Sequence, residues 1–167
     1  AAHHDLKEFI TDTKIDAVYI ATPHSEHFTF TLEAITNGKH VLCEKPFTMN
    51  AFESMTLLNL ACSSNIFLME AYMYRTHPQT KNILSNLNFI QDENKKILIE
   101  ASFGFEADVP IDHRLRDPQL GGGAILDIGC YPLTMCKLIA GHLQGQQFAD
   151  PKSLEASGQL DETGVDL

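Results

Sequence analysis

Between Asp16 and Met69 the sequence alternates short β-forming runs with helical periodicity, and that rhythm leaves few folds open. Asp16-Ala-Val-Tyr-Ile-Ala21, closed by Thr22-Pro23, reads as a strand buried on both faces. Phe28, Leu32 and Ile35 then recur at helical spacing until Gly38 stops the run. Val41-Leu-Cys43 is a second strand and Ile66-Phe-Leu-Met69 a third. Between them Asn50 caps a helix with Glu53 three residues on, and Ala51, Met55, Leu58 and Cys62 form its predicted buried face. Strand, helix, strand, helix, strand is the order of an α/β parallel sheet with right-handed crossovers.

The pattern changes after residue 70. A polar helix is predicted from Pro78 to Ile90. Lys95-Lys96 then leads into a strand whose alternate residues Ile97, Ile99, Ala101 and Phe103 are apolar, the mark of a sheet covered on one face. A loop rich in Asp, Pro and Arg precedes Gly121-Gly122-Gly123, a helix follows to near Gly141, and Leu154 to Leu160 is the next strand. The predicted boundary lies near residues 70–78, dividing the chain into 1–74 and 75–167.

The 167 residues suffice for one domain or for parts of two. A net charge of −10 with no basic face argues against nucleic acid as a partner. Cys43, Cys62, Cys130 and Cys136 form neither a CxxC pair nor a zinc spacing, and each lies in an apolar stretch. Free thiols fit a reducing cytoplasm. No apolar run is expected to cross a bilayer, and no signal segment is recognised, so no membrane role is expected. The start at Ala1 inside a helix-like stretch, and the unfinished strand-like run near the end, read as a truncated sequence.

Several residues carry chemistry. Glu44-Lys45-Pro46 follows a strand directly, at the carboxyl edge where open α/β sheets bind ligands. Pro46 biases Lys45 toward an extended backbone and restrains it. Asp127 and Tyr131, four apart in a predicted helix among apolar neighbours, are expected on one largely buried face. The three glycines could be a hinge, a close-packing site or an anion nest. They are not a dinucleotide fingerprint, because residue 126 is Leu and no strand immediately precedes them. His24 and His27 lack the further ligands that a metal needs, and contact with a ligand at a helix N-terminus is the better reading.

The order and spacing of Ala21-Thr22-Pro23-His24 with His27, Glu44-Lys45-Pro46, Glu70…Arg75…Pro78 and Gly121-Gly-Gly-Ala-Ile-Leu-Asp127-Ile-Gly129-Cys-Tyr131 is more specific than any part. The combination resembles the glucose–fructose oxidoreductase/inositol dehydrogenase/MocA family, nearest its dihydrodiol dehydrogenase and NADP-dependent D-xylose dehydrogenase branch. The resemblance implies the carboxyl-terminal part of a Rossmann parallel sheet, then part of an α+β domain with an open, mostly antiparallel sheet that often serves dimerisation. It implies NADP or NAD as cofactor, a sugar or cyclic trans-diol as substrate, and a homodimer. By the same resemblance Thr22, Pro23, His24, His27 and Arg75 bind the cofactor, and Glu44 and Pro46 lie beside the nicotinamide. Lys45 faces the reacting carbon, and Asp127 and Tyr131 cross the cleft with Tyr131 as acid/base.

Moving hydride from an alcohol carbon needs a base for the hydroxyl proton. A phenol, with a reference pKa of about 10, needs a nearby cation to serve at neutral pH. Lys45 can be that cation, with Asp127 as the positioning acceptor. The family's Gly-rich opening turn is not in this sequence, so the chain by itself is expected to be inactive. Met73, where dihydrodiol dehydrogenases carry an aromatic residue, tilts the expectation toward sugars. The competing readings are a non-catalytic dinucleotide-binding sensor, a biliverdin reductase-like enzyme, and an inactive remnant.

Overall fold

The computed structural model describes residues 3–87, 96–106 and 108–166. These form two compact units, one of residues up to Ala71 with Gln119–Gly121, the other of Tyr72–Pro118 and the residues from Gly122 onward.

In the first unit β1 (Ala17–Ile20), β2 (His40–Glu44) and β3 (Leu68–Ala71) form a parallel sheet in that order. Val18 lies beside Val41, and Val41 beside Leu68. The short helix α1 (Leu6–Thr11) begins where the Asp5 side chain accepts the Glu8 amide. The crossovers are α2 (His27–Thr36) and α3 (Ala51–Ser63). Asn50 caps α3 by accepting the Glu53 amide, as its spacing predicts, while the Glu53 carboxylate reaches back to the Met49 amide. Val18, Ile20, Val41 and Cys43 from the sheet meet Ala34, Ile35, Leu57 and Ala61 from the two helices to make the core. Each fully buried aliphatic side chain contributes about 1.5–3 kcal/mol relative to exposure.

Two expectations need correction. The strands are not buried on both faces: Tyr19 is 58% and Leu42 37% exposed. The strands follow one another in sheet order, and right-handed crossovers that advance in one direction put their helices on the same face. The other face stays uncovered among the described residues. Helix α3 buries Leu57 and Ala61, one position round from the predicted Ala51, Met55, Leu58 and Cys62, which are exposed. Apolar residues at adjacent positions, Leu57-Leu58 and Leu60-Ala61-Cys62, blur its periodicity, and packing against α2 selects the face.

The second unit contains α4 (Pro78–Leu87) and α5 (Cys130–Leu143), which touch each other. The predicted last turn of α4 at 88–90, and Lys95, lie outside the described residues. The strands predicted at 97–103 and 154–160 are not formed among the described residues, so the open antiparallel sheet is not seen; an isolated antiparallel bridge joins Leu160 to Asp166. An alternating apolar pattern makes a strand only beside a partner, and neither segment has one among the described residues. Against expectation, Pro118–Leu143 is long and apolar enough by length and composition to cross a membrane. Its backbone is interrupted, with a 3-10 turn at Pro118–Leu120, two glycines at positive φ, and a π-helix at Ile125–Gly129 before α5.

Candidate functional site

Parallel strands deliver their carboxyl ends to one edge, and here that edge carries most of the residues singled out in the first unit. β1 runs into Thr22-Pro23-His24 and β2 into Glu44-Lys45-Pro46, whose Lys45–Pro46 peptide is cis. The loop after β2 is fixed from several sides. The Lys45 amide donates to Glu44 Oε2 at 3.2 Å, and the Phe47 amide to Glu70 Oε1 at 2.7 Å. The carbonyl of buried Pro46 meets His27 Nδ1 at 2.7 Å. Half-buried Lys45 is thereby mounted on a restrained backbone. The Tyr19 hydroxyl donates to Glu44 Oε1, and this bond to the carboxylate, ahead of burial, raises the phenol above its ordinary range. Burial pushes the Cys43 thiol up to about 12, which makes it an unreactive core group.

His24 and His27 are not surface groups. His27 is fully buried, with Nε2 2.9 Å from the Thr22 carbonyl in addition to its Pro46 contact. His24 is 6% exposed, its Nδ1 2.9 Å from the Gly121 carbonyl. Both lie beneath the loops that they were expected to line, with ring nitrogens turned to backbone oxygens. Among the described residues no group of three or more His, Cys, Asp or Glu side chains could hold a metal. The buried Thr22 hydroxyl has no hydrogen-bond partner. An unmatched hydroxyl on the loop that leaves β1 at the sheet's carboxyl edge suits a polar ring ligand such as nicotinamide.

The second unit holds Arg75, Asp127 and Tyr131. Asp127 lies in the π-helix, where the Cys130 amide reaches back to the Ile125 carbonyl, so the four-residue stacking of an α-helix does not apply between Asp127 and Tyr131. The helix is also less buried than its composition predicts. Ile125 and Leu133 are exposed and Asp127 is half-buried. Asp127 lines a cavity of about 300 Å³ with Phe105, Leu115, Arg116, Ile128 and Asp161. The Tyr131 ring stands edge-on to Tyr72 and Phe103, with centroids at 5.6 and 5.4 Å, and its hydroxyl is 3.7 Å from Met73 Sδ. Sequence reasoning missed the roles of Tyr72 and Phe103. The alternation Tyr72-Met73-Tyr74 was the available signal for the first, and nothing local pointed to the second. The Arg75 guanidinium lies 4.7 Å over the Phe148 ring.

The glycines serve close packing. The Gly122 amide donates to the Asp117 carbonyl, Gly123 to Leu115, and Ala124 and Ile125 to Asp166. These amides are therefore already satisfied, which removes the anion-nest reading.

Residues 1–72 match the model of the oxidoreductase family with the NAD-binding Rossmann fold. The chain is 36% identical over 166 residues to the NADP-dependent D-xylose 1-dehydrogenase of Hypocrea jecorina, covering 95% of this chain and 42% of that protein. It is 38% identical over 166 residues to the trans-1,2-dihydrobenzene-1,2-diol dehydrogenase of Xenopus tropicalis, covering 99% and 47%. A 3-ketoreductase from Actinomadura kijaniata, solved with NADP and TDP-benzene, matches with a TM-score of 0.69 at 31% identity over 81% of this chain and 41% of that one. The chain thus spans a little under half the length of these relatives.

Proposed function

The chain belongs to the oxidoreductase family with the NAD-binding Rossmann fold, and from that premise we propose that its protein transfers hydride between NADP or NAD and a sugar or cyclic trans-diol. The observation that carries this reading is Lys45, held at the carboxyl end of the middle strand by a backbone bonded to Glu44 and His27. Its support is the similarity of nearly the whole chain to the xylose and dihydrodiol dehydrogenases.

In this reading Tyr131 takes the substrate hydroxyl proton, Lys45 supplies the positive charge that favours the ionised phenol, and Asp127 accepts a hydrogen bond that orients the substrate. Thr22, Pro23, Glu44 and Pro46 hold the nicotinamide side of the cofactor, with His24 and His27 supporting them from below, and Arg75 joins the cofactor-binding set. Nicotinamide, when bound, supplies the hydride acceptor. The protein is read as cytoplasmic, which its free cysteines fit, and as a homodimer in its complete form.

The test is a screen of the whole protein that carries this chain, with D-xylose, D-glucose and a cyclic trans-diol and each oxidised cofactor, following formation of reduced nicotinamide. Turnover is expected with one of them. Tyr131→Phe should lower turnover by about 10²–10⁴-fold with little change in cofactor affinity. Near-normal turnover in that variant removes Tyr131 from the role. Cofactor binding with no turnover on any substrate points to the sensor reading instead.

A further inference from the structure

We infer that His27 is a positioning residue, a ring protonated on both nitrogens that cross-ties the loop after β1 to the loop after β2 directly behind Lys45. The inference starts from what faces the ring. Nδ1 lies 2.7 Å from the Pro46 carbonyl and Nε2 2.9 Å from the Thr22 carbonyl. Carbonyl oxygens only accept. A neutral imidazole has one N–H and one bare nitrogen, so it satisfies one of these carbonyls and turns a lone pair on the other. Only the ring with two N–H groups makes both bonds.

Turning the ring over does not relieve the conflict. Carbon atoms would then face the two oxygens at 2.7 and 2.9 Å, closer than the roughly 3.3–3.6 Å of C–H···O contacts. Burying a charged ring is costly, and two charge-assisted hydrogen bonds offset that cost. The neighbouring His24 ring, centroid 5.8 Å away, has its own carbonyl partner in Gly121. The nearby carboxylates are engaged too, Glu44 by Tyr19 and the Lys45 amide, Glu70 by the Phe47 amide.

The consequence is mechanical. His27 begins α2, so its ring couples the start of a helix packed in the core to both loops at the sheet's carboxyl edge. Pro46 follows Lys45, and fixing its carbonyl fixes the backbone from which the lysine extends. The importance of this for turnover rests on the proposed role of Lys45; the ring's protonation and the loop tie do not.

The decisive experiment is magnetic resonance on isotopically labelled wild-type protein at neutral pH, with the His27 ring assigned through bonds to its own backbone. The expected result is an N–H signal at each His27 nitrogen, both slow to exchange with solvent. A bare nitrogen at either position overturns the inference. In His27→Gln, which cannot donate in two opposite directions, amide exchange of Lys45 and Phe47 should quicken by about tenfold or more; unchanged exchange in the folded variant also overturns it. If that variant fails to fold, the wild-type spectrum still decides. For the active enzyme the same substitution should cut turnover by up to about 10²-fold, and loss of all wild-type activity would count against the proposed function alone.

Discussion

Cys43 and Cys62 share a side chain and nothing else. Cys43 is fully buried beside Thr31, and burial pushes its thiol up to about 12, whereas Cys62 on α3 is exposed. A thiol reagent at mildly alkaline pH should modify Cys62 quickly and Cys43 only on unfolding, which mass spectrometry of timed samples reads directly. Because the folded thiol is the weaker acid, its contribution to stability is intact below the ordinary thiol range and falls as pH rises toward 12. Asp161 has the opposite sign. Its hydrogen bond from the Thr163 side chain, with further help from the Thr163 amide and Arg116, lowers its carboxyl below the usual range. Its contribution is present above that range and lost as pH falls through the lowered value, so Asp161→Asn should weaken the fold at neutral pH and flatten the acid limb of a stability profile. Individual residues were unevenly legible. Lys45 announced itself by following a strand and preceding a proline. His27 did not, because the sequence records two histidines three apart and is silent on carbonyls converging from positions 22 and 46.

Among the elements, the strands and crossover helices of the first unit follow from composition and spacing, since runs such as Ala17-Val-Tyr-Ile20 have few other stable uses. Which faces they bury was harder to read. A continuous apolar strand predicts two covered faces, yet coverage depends on where the crossovers go, and both went one way. Met55 and Leu58 looked like core for the same reason: an apolar side chain reports its preference and not its neighbours. The sequence leaves the glycine run open between three roles; the occupied amides of Gly122 and Gly123 remove the anion nest, and the near contacts of all three glycines favour close packing. Gly123 has φ +102°, and a Cβ there would strike the Asp166 carboxylate. Gly123→Ala should therefore cost about 1–3 kcal/mol, while Gly104→Ala, whose Cβ meets nothing nearby, should cost far less; paired thermal melts test the difference.

For the molecule as a whole, the α/β character of the first unit is carried by sequence patterns that run from residue 16 to residue 69. The second unit was less legible, because its predicted strands needed partners that alternation alone does not identify. The sheet face on which Tyr19, Leu42 and Phe67 are exposed should bind a hydrophobic-patch dye in the folded 167-residue chain. Leu42→Thr should reduce that signal at unchanged cooperativity of unfolding, and an unchanged signal would mean that the dye reads another surface.

The bonds that Asp166 makes to Ala124 and Ile125 have a consequence for how the protein is made. The turn that opens the long helix stays uncapped on the ribosome until the chain has grown 41 residues further. Synthesis from the amino terminus therefore produces the strands β1, β2 and β3 well before this helix can be closed, and Asp166 acts as its latch.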